Sequence, residues 1–348
     1  GLDPFQDNRV TFDADGDAYQ LAKLDGRHYL AHSRGSRWEY YPLPESQWAR
    51  IEFNDRPGRP QNPPPVLLYG DDGYLEIVMP EKYDDGSLFL TDYATAVTTD
   101  SLLVPNHSGG ASSVISHDGF VFVPWPSRRL PKGKIGTDQF ISIIHRESAR
   151  LIRTEFLGTS STNTFNKSKG VYEPDPHDIV AMTVDSRGVI HILLGAHHGE
   201  LLYCHSTGSG WDGFTEPVPV GLPRNPENNG GHTYVALVCD AQDRLHVVTR
   251  YTGDRYHPQL VYIRRNADGT WTDSRVLVHG LRGQYAGYYH QLNLDGDQLI
   301  LMACGDENDE AREIVAQIRS LQARGRAWGD VAIFYRMNFM QRALESAL

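Results

Sequence analysis

The chain has 348 residues, 40% hydrophobic and 22% charged, which is enough apolar material for a large core and one or two domains. Its 33 Lys and Arg against 44 Asp and Glu leave a formal charge of -11, which excludes the broad attraction that duplex nucleic acid or an anionic membrane surface requires. With 33 Gly, 20 Pro and 18 Tyr but five Met, turns and aromatic-rich strands are expected ahead of long helices.

Cys204, Cys239 and Cys304 cannot all pair and lack a C-x-x-C spacing, so neither a disulfide framework nor a zinc ribbon is indicated. No apolar run reaches the roughly 18 residues of a membrane span. The chain opens Gly1-Leu2-Asp3-Pro4-Phe5 without Met or a signal-peptide core, and the expectation is a secreted or periplasmic protein whose signal is not visible here.

An Asp- and Gly-containing turn followed by an apolar strand recurs along the chain. Asp25-Gly26 before His28 to Leu30 is an early copy. Gly70 to Gly73, Ser116 to Gly119, Asp185 to Gly188, Asp240 to Asp243 and Asp295 to Gln298 follow, each before an apolar stretch. Positions 188, 243 and 298 are 55 residues apart twice over, and 73 to 119 is a step of 46. The longer interval from 119 to 188 is assigned to a loop-rich insertion, Arg128 to Glu173. A step near fifty residues holding several short strands is the spacing of a propeller blade. A face-packed sandwich gives no reason for two equal steps. The expected fold is therefore all-β, a β-propeller over residues 1–304 with about six recognisable blades.

After Cys304 the pattern changes. Ile314, Val315, Ile318 and Leu321 share one face of a helix expected over 306–324. Val331 to Tyr335 reads as a strand and Gln341 to Leu348 as a second helix, so residues 305–348 form a short α/β tail.

Four polar residues fall at one end of two consecutive hairpins. His177 and His197 flank the hairpin turning at Asp185 to Gly188 and mirror one another about it. Tyr234 and Arg250 do the same about Asp240 to Asp243, one repeat later. Both pairs thus occupy one ladder level in neighbouring blades. Imidazole and phenol exchange protons, and guanidinium clamps a carboxylate bidentately, so the set suits proton abstraction alpha to a carboxylate. Taken singly, each is an ordinary blade-edge residue. His198 competes with His197 for its place, His232 competes with Tyr234, and His107, in Asn106-His107-Ser108-Gly109-Gly110, is a further residue for the channel mouth. His191 and His246 read as hydrogen-bonded strand residues. Asp175, His177, Asp178 and His198 allow a structural divalent metal without assigning one. There is no Gly-x-Ser-x-Gly elbow, phosphate-binding Gly-rich loop or dinucleotide fingerprint.

The stretches Asp175 to Asp178, Asp185 to His191, Gly195 to His197, His232 to Tyr234, Thr249-Arg250 and Tyr288 to Asp295 resemble the BNR-4 repeat family. Within it they resemble the seven-bladed propeller polysaccharide lyases that cut ulvan or rhamnose-glucuronate linkages. The resemblance covers about residues 10–304 and departs where Asp178 replaces a frequent Asn. It implies His177, His197, Tyr234 and Arg250 as catalytic positions, with His107, His198, His232 and Tyr289 expected to contact substrate. The partner is then an acidic polysaccharide or oligosaccharide cleaved by β-elimination, with no cofactor required and no nucleic acid or membrane engaged. A non-catalytic carbohydrate-binding propeller, using platforms such as Trp125, Trp211 or Tyr256, is the alternative. The tail from Glu310 to Glu345 is similar to a fragment of Rep-type DNA helicases, in which the equivalent of Arg342 contacts nucleotide. Without a phosphate loop, the remaining reading is an inactive fusion or helicase-associated protein.

Overall fold

The computed structural model describes residues 10–13, 15–34, 37–45, 48–51, 66–69, 75–82, 88–95, 115–126, 136–146, 148, 150–160, 163–166, 170–174, 180–194, 197–208, 212–224, 230–253, 258–279, 292–295, 298–300, 307–325, 327 and 338–347. The first sheet comprises β1 (Thr11–Phe12), β2 (Ala18–Leu24), β3 (Arg27–Arg34) and β4 (Arg37–Pro42). The second comprises β5 (Trp48–Ile51), β6 (Val66–Tyr69), β7 (Leu75–Lys82) and β8 (Leu88–Thr95), and the third β9 (Ile115–His117), β10 (Phe120–Pro126), β11 (Asp138–His145) and β12 (Arg150–Thr159). The hairpin β13 (Asn163–Asn166) and β14 (Val171–Pro174) follows. The fourth sheet starts with β15 (Ala181–Val184) and β16 (Ile190–Leu194). The chain then forms β17 (His197–Gly199), which belongs to the fifth sheet, and returns for β18 (Leu201–His205) and β19 (Val218–Val220). The fifth sheet continues from β17 through β20 (Gly231–Cys239), β21 (Leu245–Thr252), β22 (Pro258–Arg265) and β23 (Arg275–His279), and β24 (Asn293–Asp295) pairs with β25 (Gln298–Ile300).

Each of the first three sheets is an antiparallel meander in chain order, and β15 lies beside both β9 of the preceding sheet and β20 of the next. Among the described residues, apolar cores sit between the first and second, the third and fourth, and the fourth and fifth sheets. Ile192 and Leu194 of β16 pack with third-sheet Phe122, Ile141 and Ile143, whereas Leu193 between them packs with fifth-sheet Val235, Leu237 and Val247. Alternate residues of one strand thus feed two different cores, which is why β16 is buried along its whole length. Tyr19, Leu21 and Leu30 meet Val66, Leu68 and Val78 in the same way between the first two sheets. Sheets stacked face to face in sequence, as the third, fourth and fifth are here with β9, β15 and β20 side by side, have the radial order of a β-propeller.

The recurring turn has a physical cause. The Asp185 Oδ1 accepts the amides of Arg187 and Val189, both at 2.9 Å, and the Asp240 Oδ1 accepts those of Gln242 at 3.0 Å and Arg244 at 2.8 Å. Asp13 accepts the Asp15 and Asp17 amides similarly. A short carboxylate is what closes this turn. The other oxygen of each strand-turn Asp engages a strand histidine: Asp185 Oδ2 lies 3.4 Å from His191 Nε2, and Asp240 Oδ2 lies 2.9 Å from His246 Nε2. The Nδ1 atoms then meet Tyr203 Oη at 2.7 Å and Tyr262 Oη at 2.8 Å. The same Asp-His-Tyr relay therefore stands in two successive sheets, and both histidines are hydrogen-bonded strand residues as expected.

One difference from the sequence reading stands out. The described residues of the stretch 128–173, expected as a loop-rich insertion, are largely strand, because β11 and β12 complete the third sheet there and β13 and β14 form a hairpin. β12 is an edge strand with Ile152 and Phe156 exposed, so it lacks the apolar run of an inner strand. In the tail, α1 (Glu307–Ala323) and α2 (Asn338–Ala347) pack together, with Ala311, Val315, Ile318 and Leu344 buried. The expected strand Val331 to Tyr335 lies outside the described residues. Among the described residues, no helix is long and apolar enough to cross a membrane.

Candidate functional site

The anticipated hairpin axes hold, with Ala181 opposite Leu193, Val184 opposite Ile190, and Ala236 opposite Val248. Past Leu194, however, the strand that carries His197 changes partner. β17 pairs with β20 of the next sheet, setting His197 opposite Thr233 and Gly199 opposite His232. His198 is the extra residue of that step. On the other side of β20, Thr233 faces Arg250 and Val235 faces Thr249, so Tyr234 is the extra residue of a second bulge. The direct Tyr234-to-Arg250 pairing expected from the hairpin is thereby displaced by one position. One row now runs His197, Thr233, Arg250 across three strands, and paired residues of adjacent strands share a face.

Tyr234 and Arg250 still meet. The guanidinium carbon of Arg250 lies 4.7 Å from the centroid of the Tyr234 ring, a cation–π contact in which both residues are buried. Backbone conformation marks the place as well. Among the described non-glycine residues, φ is positive at Asp25, Asp118, Asp243, His198 and Tyr234. The three aspartates are in turns, where a short polar side chain tolerates left-handed backbone. His198 at +62° and Tyr234 at +55° are in bulges beside the His197–Thr233 pair.

The two histidines of β17 are half-buried, with ring centroids 4.6 Å apart. The His198 amide donates to Thr233 Oγ1 at 3.1 Å. Gly231 lets β17 come this close: a Cβ there would fall 2.6 Å from the His198 carbonyl carbon and 2.7 Å from the Gly199 nitrogen. His232 is different in kind. It is fully buried, and its Nε2 lies 2.9 Å from the Leu222 carbonyl, so Nε2 carries the proton and donates it. Burial lowers its pKa to about 4, leaving a neutral imidazole that braces the turn before β20 and presents no surface to a ligand.

His177, His107 and Tyr289 lie outside the described residues, as do Asp175, Asp178, Trp211 and Tyr256 and the side chain of Trp125. Arg342 is exposed on α2. No group of His, Cys, Asp or Glu among the described residues could hold a metal ion. Sequence reasoning brought together His197, Tyr234 and Arg250 and missed Thr233. The Gly230-Gly231 pair at the entry to β20, two residues before it, was the available signal, since glycine where a strand begins marks close backbone approach.

Residues 138–309 match the BNR_4 family, described as BNR repeat-containing family member. Solved structures similar to the chain include an alpha-L-arabinanase of Penicillium chrysogenum complexed with arabinobiose, at 11% identity over 83% of this chain and 86% of that one, with a TM-score of 0.44. They also include an ulvan lyase described as a new family of polysaccharide lyase, at 14% identity over 80% of this chain and 57% of that one, with a TM-score of 0.31. A stretch of 104 residues is 29% identical to DNA helicase II of Salmonella typhimurium and spans 29% of this chain but 14% of the helicase.

Proposed function

We propose, for a chain whose residues 138–309 carry the BNR repeat, a carbohydrate-active propeller that cleaves uronate-containing polysaccharide by β-elimination. The observation that carries this reading is the row His197, Thr233, Arg250 with the Tyr234 ring against the Arg250 guanidinium. An always-charged planar cation beside a phenol, with imidazoles one strand away, is what removal of a proton alpha to a carboxylate needs.

Arg250 neutralises the uronate carboxylate, which makes the C5 proton acidic and stabilises negative charge as it spreads into the enolate. A base among Tyr234, His197 and His177 takes that proton. The electron pair of the C5–H bond becomes the C4–C5 double bond, the C4–O4 bond breaks, and O4 leaves with a proton from the remaining acid. The donors and acceptors are all side chains, so the step balances without a co-reactant. His198, His107 and Tyr289 are assigned to substrate contact, and buried His232 to support of β20. A polysaccharide substrate is met outside the cytoplasm, so this reading carries with it secretion or a periplasmic location.

Incubation with ulvan, a rhamnose-glucuronate polymer and a simple polyuronate, followed by ultraviolet absorbance of the unsaturated uronate, tests the reading. Growth of that absorbance on one of them is expected. Retained binding without turnover on every polymer would instead mark a carbohydrate-binding propeller.

A further inference from the structure

We infer that Thr233 is a positioning residue that fixes the histidines of β17 against the Tyr234–Arg250 pair. The inference rests on the lyase reading for its effect on turnover, and on geometry alone for the anchor itself. β17 is three residues long and comes from the chain segment between two strands of the fourth sheet, yet it pairs only with the fifth. So short a strand, carrying a left-handed residue at its centre, cannot hold its own register.

The attachments are specific. His197 pairs with Thr233 on the ladder, the His198 amide donates to Thr233 Oγ1, and Gly231 lacks the Cβ that would push His198 and Gly199 away. Thr233 is also the residue opposite Arg250, and its carbonyl accepts from Thr249 Oγ1 at 3.4 Å. It is therefore paired with the histidine strand on one side and the arginine strand on the other, as its neighbour His232 is through Gly199 and Tyr251, and of the two it is Thr233 whose side chain also accepts the His198 amide. Its hydroxyl touches no reacting atom in this scheme. It acts by setting where the imidazoles of His197 and His198 stand, and misplacement of reacting groups by about 1 Å costs about a hundredfold in rate.

Thr233→Val keeps the shape and β-branching and removes the acceptor, and Thr233→Ser keeps the acceptor. The full-length variants are compared for kcat and KM on the polymer that the wild type cleaves, and for amide exchange of residues 197–199 by mass spectrometry. Thr233→Val is expected to lose about a hundredfold in kcat with KM within about twofold, and to exchange at 197–199 about tenfold faster. Thr233→Ser recovers most of both. Unchanged exchange in Thr233→Val, or a Thr233→Ser variant as impaired as Thr233→Val, overturns the inference. Wild-type protein inert on every uronate polymer overturns the lyase reading instead, while the exchange rates still decide whether Thr233 holds β17. Gly231→Ala supplies a second perturbation of the same contact from the backbone side and is expected to raise exchange at 197–199 as well.

Discussion

His198 and Tyr234 lie on adjacent strands, each the extra residue of a β-bulge and each in left-handed backbone, on either side of the paired His197 and Thr233. Such conformations cost on the order of 1–2 kcal/mol for L-residues. Two of them within one ladder step require that the surrounding pairs impose them. The bulge at Tyr234 also explains how its ring reaches the Arg250 guanidinium, because the inserted residue re-aims the side chain across the register.

Tyr234→Phe tests the phenol without disturbing that packing. The ring and its contact with Arg250 remain, so the thermal midpoint should move little. If the hydroxyl transfers a proton, kcat falls by about a hundredfold to a thousandfold with substrate affinity retained. Steady-state kinetics beside a melting curve separate the two effects, and a fully active Phe variant removes Tyr234 from the proton-transfer scheme.

Arg250→Lys preserves charge but not the planar fork. Lysine can neither clamp a carboxylate bidentately nor stack flat on Tyr234. Turnover should drop by about a hundredfold to a thousandfold, comparable to removing an oxyanion donor. Loss of the cation–π contact should also lower stability by about 1 kcal/mol, measurable in urea titrations. An active Lys variant would place the carboxylate clamp elsewhere.

The repeat itself makes a third expectation. Burial alone would raise the Asp185 carboxyl, but hydrogen bonds from His191, Arg187 and the Val189 amide outweigh it and hold the group below the usual carboxylate range. Asp185→Ala removes the acceptor for two turn amides and for the buried His191 ring. Denaturant unfolding should report a loss of about 2–4 kcal/mol. Asp240→Ala, cut from the same relay one repeat later, should behave alike, and a neutral outcome at both would show that the turns close without their carboxylates.

That relay is also the part of the fold most legible in sequence. A turn aspartate must recur wherever the same amides need an acceptor, so Asp185 and Asp240 kept their spacing and displayed the blade step. The α1 and α2 helices were visible for a similar reason, since an exposed helix with one buried stripe writes its period into the sequence. β12 was not visible because an edge strand, half exposed, mixes Ile152 and Phe156 with Arg150, Arg153 and Glu155. The Tyr234 bulge left no trace either: β20 is buried throughout, so a one-residue slip changes no polar-apolar alternation. Nor does a strand of three residues say which sheet it joins, and so Thr233 went unnoticed while the histidines and Arg250 on the strands beside it were singled out.

His232 supplies the pH dependence. In the unfolded chain its imidazole titrates near the ordinary value of about 6.5, whereas burial in the folded protein lowers that to about 4. Between these values the unfolded state binds the extra proton and the folded state does not. The sign follows from linkage: stability contributed by the neutral buried ring is present above about pH 6.5 and is lost as pH falls toward 4, up to roughly 3 kcal/mol for a shift of this size. His232→Gln has no proton to bind and can still donate toward the Leu222 carbonyl. Denaturant titrations from pH 7 to pH 4 should therefore show the wild type losing stability more steeply than the Gln variant, with the gap opening below about pH 6.5. Parallel curves would mean that His232 is charged, or free to become so, inside the fold. Its place as a neutral brace behind β20 would then be wrong, and a role nearer the substrate would come back into play.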